Sequence, residues 1–213
     1  MVPDNAAVAP PLLQRLIAIC RAALPDSTII VHGSLAVGDY IPGKSDLDIL
    51  VLSDAPTDGL VEAVQAEWEH HPTNLDLRVV TYKVAATPTR TPRMHLYVGV
   101  HNGHWEIERD VDEPDLVVEF SVCRQLGHTE LIGAVPDEWV DQVGGAVIER
   151  WKEVGHDPPH HELMALTACR IWRFREERVH SSKPAAAEWA RSKGARVAYD
   201  DAAVRDLLTK ASA

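Results

Sequence analysis

The sequence predicts an α+β domain with a mixed sheet over residues 1–112, followed by an all-α helical bundle over residues 113–213. Three observations predict it. In the first half, short β-branched or alternating runs are interleaved with segments of helical period. From Asp115 onward only helical periods remain. The two halves, about 110 and about 100 residues long, each fall in the usual size range of a domain.

Taken in order, Leu12 to Leu24 spaces its apolar residues as a helix and stops before Pro25. Ser27 to His32 is a β-branched run halted by Gly33, hence a strand. Ser45 to Leu52 alternates through Asp46, Leu47, Asp48 and Ile49 and reads as a second strand. Leu60 to His70 returns to a helical period, and Leu75 to Tyr82 to a strand period with Asp76, Arg78 and Val80 on one face. A Thr/Pro loop, Ala86 to Pro92, precedes a strand at His95 to Val100. Asn102-Gly103 is a hairpin-turn signal, with His104 to Glu108 as the returning strand and His101 and His104 expected in solvent. In the second half, helices are expected over Asp115 to Leu126, Asp137 to Val154, His161 to Arg178, Ser182 to Lys193 and Asp200 to Ala211. Asp137 and Ser182 suit N-cap positions. Trp172 and Trp189 lie among apolar residues at helical spacing and are expected in the core.

Composition narrows the function classes. The formal net charge is −11, from 32 acidic and 21 basic residues, and no basic stripe offers a footprint for nucleic acid. Cys20, Cys123 and Cys169 form an odd, widely spaced set, as expected of reduced, buried thiols in a cytoplasmic protein. Apolar runs are too short to span a bilayer. The expectation is a cytoplasmic protein, a monomer or weak homo-oligomer, with no nucleic-acid or membrane partner.

The chemistry concentrates between Val31 and Val51. A strand ends in Gly33-Ser34, a short glycine-containing loop follows, and Asp46-Leu47-Asp48 then opens an apolar strand that runs on through Ile49, Leu50, Val51 and Leu52. Carboxylates at i and i+2 of a strand point to the same face and repel one another unless a cation lies between them, which is how hard Mg²⁺ is held together with substrate phosphates. Gly33 lets backbone approach a phosphate closely, and Ser34 places a hydroxyl where strand gives way to helix. An aspartate pair on so apolar a strand is costly unless a ligand offsets the cost.

This Gly-Ser and Asp-x-Asp arrangement resembles the nucleotidyltransferase superfamily. Within it, the chain is similar to the streptomycin/spectinomycin adenylyltransferases, which join this catalytic domain to a helical C-terminal domain. A second stretch carries that likeness: Leu166, Arg170, Ile171 and Trp172, followed by Lys183, Ala186, Ala187, Trp189 and Ala190. A weaker match runs from Asp115 through Phe120 to Gly133. The resemblance implies Mg²⁺ held by Asp46 and Asp48, ATP as co-substrate, phosphate contacts from Gly33, Ser34, Arg170 and Lys183, and a small-molecule acceptor bound between the domains. It also identifies two departures. The family's glutamate base would fall in Arg93 to Tyr97, where His95 stands, and Asp76 is the other candidate for base or third metal carboxylate. Before Arg170 the family holds its acceptor with a tryptophan and aspartates; here Trp151 is kept, but His156, His160 and His161 surround a Pro-Pro loop. Trp151 and His160 are the substrate-side expectation.

Three functions are compatible with these residues. One is Mg²⁺-dependent transfer of AMP from ATP to a hydroxyl of a small polar molecule. Another is a nucleotide-binding homologue whose base is lost, and a third is a nucleotidyltransferase that modifies a protein.

Overall fold

A computed structural model of the chain describes residues 11–69, 71, 73–155 and 157–212. They divide into two compact units, residues 1–134 and 135–213.

The first unit carries a mixed five-stranded sheet in the order β1-β2-β3-β4-β5. Helix α1 (Pro11–Ala23) leads into β1 (Thr28–Val31), a short α2 (Gly33–Ala36) and β2 (Leu47–Leu52). Helix α3 (Leu60–Trp68) then crosses to β3 (Leu75–Val80), which pairs parallel to β2; all other neighbours are antiparallel. A parallel pair needs such a crossover, because a tight turn can only reverse the chain. The expected end of β3 at Tyr82 is displaced by a helix that periodicity missed, α4 (Tyr82–Ala86), whose N-cap Thr81 accepts a hydrogen bond from Val84 N at 3.2 Å. The sheet closes with the hairpin β4 (Arg93–His101) and β5 (His104–Asp112) around the Asn102-Gly103 turn.

Alternation along the strands gives the sheet two unlike faces. Leu47, Ile49 and Val51 of β2, Leu75, Leu77 and Val79 of β3, and Leu96, Val98 and Val100 of β4 form one core with α1 and α3, where Leu16, Cys20, Val64 and Trp68 are buried. The opposite face carries Asp48, Asp76 and Arg78.

Helix α5 (Leu116–Gln125) lies within this first compact unit. Its Leu116, Val117, Phe120 and Cys123 are buried, and its Glu119 reaches Arg78 of β3. A helical period says nothing of which layer a helix joins.

The second unit holds α6 (Asp137–Val154), a 3₁₀ turn at Pro158–His160, α7 (His161–Glu177), α8 (Lys183–Ser192) and α9 (Asp201–Ser212). Met164, Ala165, Ala168 and Cys169 of α7 pack with Ile148, Ala186, Ala190, Leu207 and Leu208. Ser182 caps α8 by accepting from Ala185 N, whereas at α6 the cap is Pro136 and Asp137 is the first helical residue. Trp172 and Trp189 meet edge to face at 4.9 Å and lie against this core, partly buried. All three cysteines are free and buried. No helix among the described residues is long and apolar enough to cross a membrane. The architecture is thus an α+β sheet domain followed by a helical region.

Candidate active site

The site is built at the end of the sheet where β2 and β3 begin. Their parallel register sets Asp48 directly beside Asp76, and Gly99 of β4 lies beside Asp76 in turn. Asp46 sits just ahead of β2, where Asn74 Nδ2 donates to its Oδ1 at 2.8 Å. This end of the sheet thus gathers the carboxylates of Asp48 and Asp76 from adjacent strands and that of Asp46 from the turn before β2.

Gly33 closes this end from β1. Its φ is +62°, a conformation an L side chain adopts only at a cost, and a Cβ there would lie 1.8 Å from Asp48 Oδ2. The glycine is thus a cradle for the carboxylate as well as a turn. Next to it, Ser34 Oγ is buried and has no hydrogen-bond partner among the described residues.

Behind the acids lies a charged layer. Arg78 Nη1 is 2.5 Å from Glu119 Oε1 and 3.8 Å from Asp76 Oδ1, and its guanidinium lies 4.8 Å from the Tyr97 ring centre. His32 Nε2 is 3.7 Å from Glu119 Oε2. Tyr97 leans over Gly99 so that its hydroxyl donates to Asp76 Oδ1 at 2.6 Å and lies 3.1 Å from His101 Nε2.

Charge in this volume is poorly compensated. Burial pushes the Asp48 carboxyl up to about 6; His32 pulls it down, but Asp76, Glu119 and Asp46 each add to the rise. Glu119 is pushed up to about 7 by burial against the pull of Arg78. Burial opposes the charge on Arg78, yet Glu119 and Asp76 raise its pKa. Burial and the bond to Asp76 raise Tyr97, so its hydroxyl stays protonated and donates.

These residues fit a divalent cation. Asp46 and Asp76 each bring an oxygen donor, and Asp48 lies beside Asp76 in register. The repulsion from Asp76, Glu119 and Asp46 that adds to the burial-driven rise of Asp48 is what a bound cation relieves. One oxygen each of Asp46 and Asp76 and one nitrogen of His101 lie within 4.8 Å of one another, close enough to share an ion.

The other expected residues belong to other elements. His95 shares β4 with Gly99 but precedes it by four residues, roughly 13 Å along the strand at about 3.3 Å per residue. There its Nδ1 is 3.0 Å from Asp110 Oδ1, in an open depression of about 360 Å³ lined also by Pro56, Thr57, Asp58 and Arg109. The structure does not bring His95 to the carboxylates; it brings Asp76. Arg170 and Lys183 belong to α7 and α8 of the second unit, Lys183 exposed in the first turn of α8. Trp151 packs against the helical core, and His160 is exposed with Nδ1 2.7 Å from Asp157 Oδ2. His161 is buried, with Nε2 3.1 Å from Asp201 Oδ1, while His156 lies outside the described residues.

Sequence reasoning missed Glu119, Tyr97 and His101. Glu119 had a signal, since a lone carboxylate sits among the apolar positions Leu116, Val117, Phe120 and Cys123 of α5. Tyr97 and His101 had none, because only the pairing of β4 with β3 and the Asn74 link at the hairpin turn bring them to Asp76.

The end of the sheet that sets Asp48 beside Asp76, with the Gly33-Ser34 turn against Asp48, lies within the residues that the family comparison matches. A nucleotidyltransferase domain model matches residues 13–127, more than half of the chain, which therefore belongs to that family. No curated protein sequence matches. Among solved structures the chain is similar to a spectinomycin adenyltransferase, AAD(9), from Enterococcus faecialis, determined with ATP and spectinomycin. The TM-score is 0.68 at 16% sequence identity, covering 95% of this chain and 98% of that one. At that identity the likeness carries the fold.

Proposed function

We propose that the protein transfers AMP from ATP to a hydroxyl of a small polar, cationic acceptor of the aminoglycoside type, using a divalent metal such as Mg²⁺. The observation that carries this reading is the pairing of Asp48 with Asp76 across adjacent parallel strands, with Asp46 beside them and Gly33-Ser34 opposite. The acceptor oxygen would form a bond to the α-phosphorus while the bond from that phosphorus to the pyrophosphate oxygen breaks. The hydroxyl proton would pass to the Asp76 carboxylate. A cation held by Asp46, Asp48 and Asp76 would neutralise phosphate oxygens and the pyrophosphate as it leaves.

The remaining roles follow from placement. Ser34 Oγ, buried without a partner, is available to donate to a phosphate oxygen. Arg78, clamped by Glu119, holds Asp76 from behind. Arg170 and Lys183 are proposed to contact phosphates, and Trp151 and His160 the acceptor. ATP as the nucleotide is supported by its presence in the AAD(9) structure, and a cationic acceptor by the spectinomycin there and by this chain's net charge of −11. We assign the base to Asp76 rather than His95, which precedes the Gly99 rung beside Asp76 by four residues of β4. Since Asp76 supplies a carboxylate, nothing in the site favours a homologue that has lost its base.

The test is pyrophosphate release from ATP and a panel of aminoglycosides. Replacing Asp46→Asn and Asp48→Asn together is expected to lower turnover by roughly 1,000-fold or more, the several kcal/mol that a catalytic metal supplies. Wild-type turnover in that double variant would sink the proposal.

A further inference from the structure

We infer that His101 is a ligand of the divalent cation, beside Asp46 and Asp76, and that it shifts the site's preference from magnesium toward a borderline transition ion such as manganese or cobalt. The inference rests on the metal-dependent reading of this site and sharpens it.

The fold delivers His101 to the carboxylates by a specific device. His101 is the last residue of β4, immediately before the hairpin turn at Asn102 (φ +52°) and Gly103 (φ +79°). Asn102 N donates to Asn74 Oδ1 at 2.9 Å, and the other end of the same amide donates to Asp46 Oδ1 at 2.8 Å. One asparagine thus ties the hairpin turn to the first aspartate. The consequence is a three-donor cluster: His101 Nε2 lies 3.6 Å from Asp76 Oδ1, and the ligand atoms of Asp46, Asp76 and His101 fall within 4.8 Å of one another. Donors 3.6 Å apart can both contact one ion at about 2.1 Å with an open angle between them. Tyr97 holds Asp76 by donating its hydroxyl proton to Oδ1 at 2.6 Å, and its oxygen lies 3.1 Å from His101 Nε2, a contact that an ion bound at Nε2 would replace.

Donor chemistry sets the preference. Carboxylates alone suit a hard ion that keeps much of its water, such as magnesium, whereas an imidazole nitrogen binds first-row transition ions more strongly. His101 is partly exposed, with 39% of its side-chain surface accessible, so replacing it removes a donor without opening the core.

The experiment uses the full chain and Mn²⁺ as probe. Calorimetry of Mn²⁺ and Mg²⁺ binding is expected to show a manganese preference in the wild type that falls roughly tenfold or more in His101→Ala. Pulsed electron paramagnetic resonance of bound Mn²⁺ is expected to show coupling to a directly bound ¹⁴N that His101→Ala abolishes. Persistence of that coupling in His101→Ala, or an unchanged manganese-to-magnesium ratio, would overturn the assignment. If in addition Asp46→Asn with Asp48→Asn still abolished Mn²⁺ binding, the metal-dependent reading would survive alone. If the wild type bound neither ion, both would fall.

Discussion

Replacing Asp48 by asparagine should make the metal-free protein more stable while destroying its activity. Asp48 is buried and is pushed up to about 6 from an ordinary value of 3.8, by burial first and then by Asp76, Glu119 and Asp46. Protonated Asp48 therefore favours the folded state. That contribution is whole below pH 4 and disappears as pH rises through 6. At pH 8 the ionised carboxylate costs about 3 kcal/mol, the rise of roughly two pKa units at about 1.4 kcal/mol each. An amide of the same shape carries no charge, so Asp48→Asn should recover up to that amount. For a chain of this size that raises Tm by roughly 6 to 12 °C at pH 8. At pH 4, with Asp48 largely protonated in the folded state and partly so in the unfolded chain, the gap should shrink below about 1 kcal/mol. Thermal melts of both proteins in chelator at the two pH values measure this. Added Mg²⁺ or Mn²⁺ should raise the wild-type Tm at pH 8 by mass action and leave the variant nearly unmoved. A variant melting at or below the wild type at pH 8, or an equal gap at pH 4, would refute the electrostatic account of the site.

Two further outcomes follow from the geometry. Gly33→Ala would place a methyl 1.8 Å from Asp48 Oδ2 at a φ of +62°; beyond about 1–2 kcal/mol of backbone cost it should expel that carboxylate and remove metal-dependent turnover, measured by pyrophosphate release, so near-wild-type turnover would count against the cradle. Asp76→Asn should lower turnover by roughly 100-fold or more, the usual range for a general base, while His95→Ala should leave it within a few-fold; the reverse ranking in steady-state kinetics would return the base to His95.

What the sequence determined by itself is local. Helical and strand periods place most elements within a few residues, because one face of each must be apolar to bury. Gly33, Ser34, Asp46 and Asp48 are legible because they lie within sixteen residues on one strand–turn–strand unit. Asp76 was visible as an acid on an apolar strand. The tertiary structure decided that Asp76, and not His95, stands beside Asp48, since only the β2–β3–β4 register aligns Asp48 with Asp76 and leaves His95 four residues away from the Gly99 rung. It also assigned α5 to the sheet, where Glu119 clamps Arg78, and it joined His101 to Asp46 through Asn74. Each of these is a contact between residues more than 20 positions apart, held by register and by burial of charge; the sequence hints at the buried charge, in Glu119 among the apolar positions of α5, but not at the register.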